Sequence, residues 1–119
     1  MKILIIDDER SIRNSLKEIL VDEGYDVDLA ENGSQGCAMV DKEKYSVIFC
    51  DIKMPEMDGM EVLDRFNQMG IDAAVVMISG HGDIAVAVEC IKKGAFDFIP
   101  KPLDLNRILI TIKNATEKV

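Results

Sequence analysis

The sequence lacks long apolar runs, which argues against a membrane-spanning protein. No apolar stretch approaches the roughly 20 residues that a transmembrane helix needs. The opening run Ile3–Ile6 is also too short for a secretory signal peptide, and it leads directly into the acidic residues Asp7, Asp8 and Glu9. We therefore expect the chain to remain in the cytoplasm.

Cysteine and histidine are scarce, and the cysteine spacing argues against a disulfide framework or a zinc site. The three cysteines, Cys37, Cys50 and Cys90, are an odd number without a C-x-x-C motif. Each lies among apolar residues, so we interpret them as small apolar side chains that stay reduced. His81 is the only histidine.

Basic residues are outnumbered by acidic ones, 14 against 22, which gives a net charge of -8. This charge argues against direct binding to the phosphate backbone of a nucleic acid. The 119 residues suffice for one domain with a buried core but not for two. If the protein acts on DNA, the part that binds DNA must lie in another domain.

Strand patterns alternate with helical patterns five times along the chain. The strands are predicted at Lys2–Ile6, Tyr25–Ala30, Val47–Cys50, Ala73–Ile78 and Phe96–Ile99. Helical spacing of apolar residues follows each strand, with Asn32, Asp58, Asp83 and Asp104 as N-cap signals. Such alternation predicts an α/β fold of the flavodoxin-like type over residues 1–119. It is a three-layer sandwich with a parallel sheet in the order 2-1-3-4-5 and five helices.

Polar residues follow the predicted strands at the points where the strands end. Asp7 and Asp8 follow the first strand, Asp51 the third, Ser79 the fourth, and Lys101 lies just beyond the fifth. In a parallel sheet these ends share one edge, and the first and third strands meet where ligands bind in this topology. The sequence therefore predicts that three carboxylates, a hydroxyl and an ammonium group converge on one crevice.

This set of side chains fits a hard metal ion and a phosphoryl group. Three aspartates held close together cannot all ionise unless one keeps its proton or a cation binds. Oxygen ligands without histidine or cysteine suit Mg²⁺, with Mn²⁺ able to substitute. Lys101 and Ser79 could hold phosphoryl oxygens, and Asp51 could act as a nucleophile that forms an acyl phosphate.

The sequence resembles the receiver domains of two-component response regulators over its whole length. The matching motifs are Asp7-Asp8-Glu9, Asp51-Ile52-Lys53-Met54-Pro55, Met57-Asp58-Gly59, Ser79-Gly80 and Lys101-Pro102, with an aromatic residue, Phe98, three positions before the lysine. The resemblance implies that a sensor histidine kinase donates a phosphoryl group to Asp51. It also implies a signalling switch rather than a turnover enzyme.

The resemblance further implies roles for the other residues at the metal site. Asp8, Asp51 and the main-chain carbonyl of Lys53 would bind Mg²⁺ directly, and Asp7 would act through water. We also hypothesise that Lys53 and His81 flank the phosphoryl group and set how fast water removes it.

A switch is implied at the fourth and fifth strands. Ser79 and Lys101 would hold the phosphoryl oxygens, and Ser79 would move toward them and draw Phe98 inward. Phe98 stands where many receivers have tyrosine, so a switch hydrogen bond from that hydroxyl is missing here. Ser79 replaces the commoner threonine, and Leu103 follows Pro102 where phenylalanine is frequent.

A narrower resemblance lies in residues 79–98, which look like the receivers of the nitrogen-regulatory type. Those receivers control ATPases that activate transcription by sigma-54 polymerase. The chain would then be the N-terminal regulatory fragment of a longer response regulator, with ATPase and DNA-binding output domains in cis and absent from this chain. The output surface would be the face of the fourth helix, fifth strand and fifth helix, through which a homodimer would form.

Three other functions are compatible with parts of the pattern. A flavin-binding electron carrier would need a phosphate loop rich in glycine and hydroxyl groups after the first strand, where this chain has acids. A metal-dependent phosphatase would need paired acids one residue apart, whereas Asp7 and Asp8 are adjacent. The third is a degenerate receiver, an interaction module that is never phosphorylated.

Overall fold

Each predicted strand is present in the computed structural model, which describes residues 1–80 and 84–117. In this described part the strands are β1 (Lys2–Ile6), β2 (Asp26–Ala30), β3 (Val47–Asp51), β4 (Ala74–Ser79) and β5 (Asp97–Pro100). The helices are α1 (Arg10–Asp22), α2 (Gly33–Lys42), α3 (Gly59–Met69), α4 (Ile84–Lys92) and α5 (Leu105–Thr116). The predicted strand boundaries are correct to within one residue.

The strands form one parallel sheet in the predicted order, β2-β1-β3-β4-β5. Pairing of β1 with β3 places Ile6 opposite Cys50. The next residues, Asp7 just after β1 and Asp51 at the end of β3, therefore lie side by side at the edge of the sheet. The flavodoxin-like topology is confirmed, and its crevice between β1 and β3 lies where the carboxylates were expected.

Alternation along the strands divides the core into two clusters, one on each face of the sheet. Leu4, Ile6, Ile48 and Cys50 pack toward the side of α3, whereas the alternate residues of β1 and β3 pack toward α1 and α5. That second set consists of Ile3, Ile5, Val47 and Phe49. With a side-chain period of two, Asp7 and Asp51 continue this second set.

Helix ends follow the predicted signals. Side-chain oxygens of Asn32, Asp58 and Asp104 accept hydrogen bonds from main-chain N–H groups in the first turns of α2, α3 and α5. Gly70 ends α3 in the left-handed conformation, with φ of 66°. The predicted cap Asp83 lies outside the described residues. No helix in the described part is long and apolar enough to cross a membrane.

Strand β4 extends one residue further than its apolar run predicted. Ser79 is its last residue and lies opposite Pro100 of β5. The Ser79 carbonyl accepts a hydrogen bond from the Lys101 N–H at 2.8 Å. Main-chain pairing does not require an apolar side chain, so the ladder continues to the edge of the crevice and ties Ser79 to Lys101.

Gly59, the first residue of α3, lies against the main chain of the Asp51 loop. Its N–H donates to the Ile52 carbonyl at 2.7 Å. A Cβ at this position would collide with the Asp51 carbonyl oxygen and would lie 2.7 Å from Ile52 Cα. Only glycine allows the helix to start so close to the end of β3.

We expect Gly59→Ala to lower the free energy of unfolding by about 1–3 kcal/mol, because main-chain atoms would have to move. Urea unfolding of the metal-free chain measures this change. Gly80→Ala is the control, since the nearest described atom to a Cβ there, apart from the adjoining residues, is Lys101 Cδ at 4.0 Å. Equal effects of the two substitutions would contradict the close-approach explanation.

Candidate functional site

Three carboxylates meet at the carboxyl edge of the sheet, as the strand ends predicted. Asp7, Asp8 and Asp51 each offer an oxygen, and these oxygens lie within 4.8 Å of one another. Asp7 is 1% exposed and Asp51 3% exposed, whereas Asp8 faces solvent. The cluster therefore has a buried floor of two acids and one accessible acid at its rim.

Lys101 is the cation that faces this cluster. Its Nζ atom lies 3.5 Å from Asp7 Oδ2, 3.5 Å from Asp51 Oδ1 and 3.6 Å from Glu9 Oε1. The chain brings Lys101 here because β5 ends one residue earlier and the Lys101 N–H is bonded to β4. One ammonium group thus serves three carboxylates, and the site keeps an excess of negative charge.

The crowding shifts the pKa values of these groups. Burial, reinforced by the nearby charge of Asp7, raises the pKa of Asp51 to about 6, even though Lys101 acts in the opposite direction. Burial also raises the pKa of Asp7, partly offset by the Glu9 N–H and by Lys101. For Lys101, burial alone would lower the pKa, but the carboxylates of Asp51, Asp7 and Glu9 raise it above its usual value.

The environment of the Asp7 carboxylate indicates whether a cation would fit the crevice. Its Oδ2 atom is buried and has no hydrogen-bond partner within residues 1–80 and 84–117. Lys101 Nζ reaches this oxygen only at an ion-pair distance of 3.5 Å, so within the described part a buried acceptor is left without a hydrogen bond, which is unfavourable unless a further donor or cation binds it. The donor set is three carboxylates without histidine or cysteine, which is the chemistry that Mg²⁺ or Mn²⁺ prefers. The residues present therefore fit a hard divalent cation.

Ser79 and Phe98 lie on the adjoining strands, where the sequence predicted a switch. Ser79 is buried and follows Ile78, which pairs with Asp51. Phe98 pairs with Met77 of β4 and is half-buried. Its side chain lines a groove of about 410 Å³ together with residues of α4. Ser79 thus borders the acidic crevice, and Phe98 borders the α4 groove.

Of the two predicted modulators of dephosphorylation, Lys53 and His81, the structure describes Lys53. Lys53 is exposed in the loop that follows β3. Its main-chain carbonyl as a metal ligand stays a prediction. His81 lies outside the described residues, so its predicted place beside the phosphoryl group also stays a prediction.

A comparison with protein families identifies the chain. The family model of the response regulator receiver domain matches residues 3–113. The chain belongs to this family. The flavin carrier and the metal-dependent phosphatase are therefore set aside, and a receiver domain accounts for the acidic crevice.

Curated relatives of this receiver domain include chemotaxis and nitrogen-regulatory proteins. The chemotaxis protein CheY of Listeria monocytogenes is 38% identical over 118 residues, which cover 98% of this chain and 99% of that protein. The nitrogen assimilation regulatory protein NtrX of Azorhizobium caulinodans is 40% identical over 117 residues, 97% of this chain and 26% of that protein. The receiver domain spans about a quarter of the length of such NtrX relatives.

Solved structures share the fold of this receiver domain. One chain of the CheX–CheY–BeF₃–Mg²⁺ complex from Borrelia burgdorferi matches with a TM-score of 0.94 and 30% identity. The match covers 99% of the receiver domain and 90% of that chain.

Two residues that sequence reasoning did not assign also hold the site together. Glu9 donates its N–H to Asp7 Oδ1 at 2.9 Å and places its carboxylate near Lys101. Arg13 donates from Nη1 to the main-chain carbonyl of Asp7 at 2.8 Å. Glu9 was visible as part of the acidic motif, but no spacing in the sequence pointed to Arg13.

We expect the metal-free receiver domain to lose stability between about pH 4 and pH 6 because of Asp51. Its pKa rises from an ordinary 3.8 to about 6 on folding. The folded chain therefore binds more protons than the unfolded chain over this interval, and the free energy of unfolding falls as the pH rises. The loss should be about 1–3 kcal/mol.

Urea unfolding in a chelator at a series of pH values measures this loss. Asp51→Asn is the control, because it keeps the shape of the side chain and removes the titration. The difference in stability between Asp51→Asn and the native chain should grow from pH 4 to pH 6 and then level off. A difference that does not vary with pH would contradict this explanation.

Proposed function

We propose that this receiver domain accepts a phosphoryl group on Asp51 from a phosphohistidine of a sensor histidine kinase. The observation that carries this proposal is the position of Asp51, buried at the end of β3 with its Oδ1 atom 3.5 Å from Lys101 Nζ. A carboxylate oxygen attacks phosphorus, the P–N bond to the imidazole breaks, and an acyl phosphate forms.

Two further residues act on the transferred group. The Lys101 ammonium binds a phosphoryl oxygen and offsets the negative charge that develops during transfer. The Ser79 hydroxyl donates a hydrogen bond to another phosphoryl oxygen. A main-chain hydrogen bond from the Lys101 N–H to the Ser79 carbonyl holds the two residues side by side at the edge of the sheet.

The cation that we assign to the site is Mg²⁺, with Mn²⁺ as a substitute. Asp7, Asp8, Asp51 and the Lys53 carbonyl would hold it, and when bound it supplies positive charge that neutralises the acids and the phosphoryl oxygens. The relative from Borrelia burgdorferi, solved with BeF₃ and Mg²⁺, supports this assignment.

Phosphorylation serves as a switch in this proposal rather than as one step of a turnover enzyme. The chain acts on its own aspartate, and the product is a modified state of the same chain. With a net charge of -8, it is proposed to work in the cytoplasm without touching nucleic acid or membrane.

We expect the native chain to gain one phosphoryl group when it is incubated with acetyl phosphate and Mg²⁺. Intact-mass spectrometry measures the gain, and Asp51→Asn should show none, because the nucleophilic carboxylate is missing. A chelator should abolish the gain in the native chain. Lys101→Ala should slow it, because the ammonium group that offsets the charge of the phosphoryl oxygens is missing.

Two outcomes would contradict the phosphoacceptor role. The first is an equal gain of mass in Asp51→Asn, which would move the modification to another residue. The second is no gain from acetyl phosphate, phosphoramidate or a phosphorylated kinase although Mg²⁺ still binds. That result would favour the degenerate receiver, a module that acts by binding alone.

The similarity to NtrX supports a nitrogen-regulatory assignment for the output. We infer that the receiver controls an output region in cis, an ATPase of the sigma-54 activator type with a DNA-binding domain. The relatives that carry this inference are about four times as long as this chain.

The face formed by α4, β5 and α5 is the surface through which we expect the signal to leave. Within α4, Cys90 is the only buried residue, while Ile84 is 80% exposed and Val88 and Ile91 are about half exposed. Ile110 of α5 is exposed as well. This amount of exposed apolar surface favours a role for α4 in binding a partner over the alternative of a helix packed closely on the sheet. The partner that we propose is a second copy of the chain.

The Phe98 main chain is held in place beside this face. Its N–H donates to Asp97 Oδ1 at 2.8 Å, and its carbonyl accepts from Arg107 Nη2 at 3.2 Å. Arg107 also binds the Asp97 carboxylate, and Thr111 donates to it. Since the main chain is fixed, a movement of Ser79 would reach α4 through the Phe98 side chain, by packing rather than by a hydroxyl group.

We expect Val88→Asp to abolish any change of oligomeric state that BeF₃⁻ and Mg²⁺ cause in the native chain, because a charge on α4 opposes burial of the apolar face. Sedimentation velocity measures the change. Val21→Asp on α1 is the matched control, since Val21 and Val88 are 48% and 47% exposed. Identical profiles with and without BeF₃⁻ in the native chain would contradict the dimer switch but not phosphorylation.

A further inference from the structure

Three of the four polar groups of Asp7 form hydrogen bonds. Its N–H donates to the Ala30 carbonyl of β2 at 3.1 Å. Its Oδ1 atom accepts from the Glu9 N–H at 2.9 Å, and its carbonyl accepts from Arg13 Nη1 at 2.8 Å. Oδ2 alone is left without a hydrogen bond within the described residues, and it faces Lys101. The other three groups therefore fix the direction in which Oδ2 points.

Arg13 reaches Asp7 because of its place in the first turn of α1. Its N–H donates to the Glu9 carbonyl at 3.1 Å, one helical turn back. Side chains of an α-helix lean toward the helix N-terminus, so the half-buried Arg13 side chain runs back over the turn between β1 and α1. The guanidinium group then joins the helix to the end of the strand.

The chemistry of this contact leaves the carboxylate of Asp7 available. Arg13 bonds to the carbonyl oxygen, and the carboxylate keeps Oδ1 for Glu9 and Oδ2 for a ligand of the crevice. A guanidinium is a planar, permanently charged donor, and it makes a stronger bond to a carbonyl than a neutral donor would. Arg13 thereby stabilises the turn between β1 and α1 without forming an ion pair with the Asp7 carboxylate.

We propose that Arg13 is a positioning residue for the divalent cation site, holding the turn from Asp7 to Glu9 so that Asp7 Oδ2 points into the crevice. This inference rests on the proposed function, in which Asp7, Asp8 and Asp51 hold the cation. Groups that orient the ligands of a metal typically change its affinity about 10- to 100-fold when they are removed. Arg13 acts through main-chain geometry and does not touch the reacting atoms.

The test is Mn²⁺ binding followed by electron paramagnetic resonance of the free ion. Arg13→Ala should weaken binding roughly tenfold. Arg10→Ala is the control, because Arg10 is an exposed arginine at the start of the same helix and its removal changes the net charge equally. It should change the affinity less than about twofold, as expected for a screened surface charge. Arg13→Lys keeps the charge but not the planar guanidinium group, and its Mn²⁺ affinity should lie between those of the native chain and of Arg13→Ala.

A second measurement needs no metal. Hydrogen exchange of the Glu9 amide in the metal-free chain should be faster in Arg13→Ala and unchanged in Arg10→Ala, because the Glu9 bond to Asp7 Oδ1 depends on the closed turn. If Arg13→Ala does not fold, Arg13→Lys provides both readouts.

The outcomes separate this inference from the proposed function. Equal loss of Mn²⁺ affinity in Arg13→Ala and Arg10→Ala would reduce Arg13 to a surface charge and overturn the inference. Native affinity in Arg13→Ala would overturn it as well and leave the cation site standing. No Mn²⁺ binding by the native chain would overturn the cation site, and the inference with it.

Discussion

Electrostatic repulsion among Asp7, Asp8 and Asp51 is the constraint on which the rest of the site depends. The parallel sheet holds two of these acids buried side by side, and Lys101 compensates only part of their charge. The folded chain therefore stores unfavourable free energy that a cation or a bound phosphoryl group can change. Binding at the crevice and the stability of the fold are linked for this reason.

Most of the fold was predictable because strand and helix patterns alternate so regularly. That alternation requires a parallel sheet, and a parallel sheet collects its carboxyl ends on one edge. The places of Asp51, Ser79 and Lys101 follow from these two facts without knowledge of any side-chain conformation. Strand boundaries were off by one residue where main-chain pairing continued past the apolar run, as at Ser79.

Contacts that depend on side-chain conformation were not predictable. Arg13 looks in the sequence like one of several polar residues on an exposed helix face, and only its rotamer brings it to the Asp7 carbonyl. Likewise, Arg107 bonds both to the Phe98 carbonyl and to the carboxylate of Asp97, ten residues earlier. The sequence does not specify the conformation of the turn between β5 and α5 that brings these residues together. Periodicity gives the face of a helix on which a residue lies, and it does not give the partner that a long side chain selects.

The shallow attachment of α4 has a consequence for how the domain opens. A helix held by one fully buried side chain gains little from burial, so its separation from the sheet requires less free energy than unfolding of the domain. Its main-chain amides should therefore exchange with solvent before those of β1 and β3, which are buried on both faces. The domain therefore has a rigid central sheet and a loosely packed helix, α4, and a small change at the crevice is enough to shift the populations of the α4 conformations.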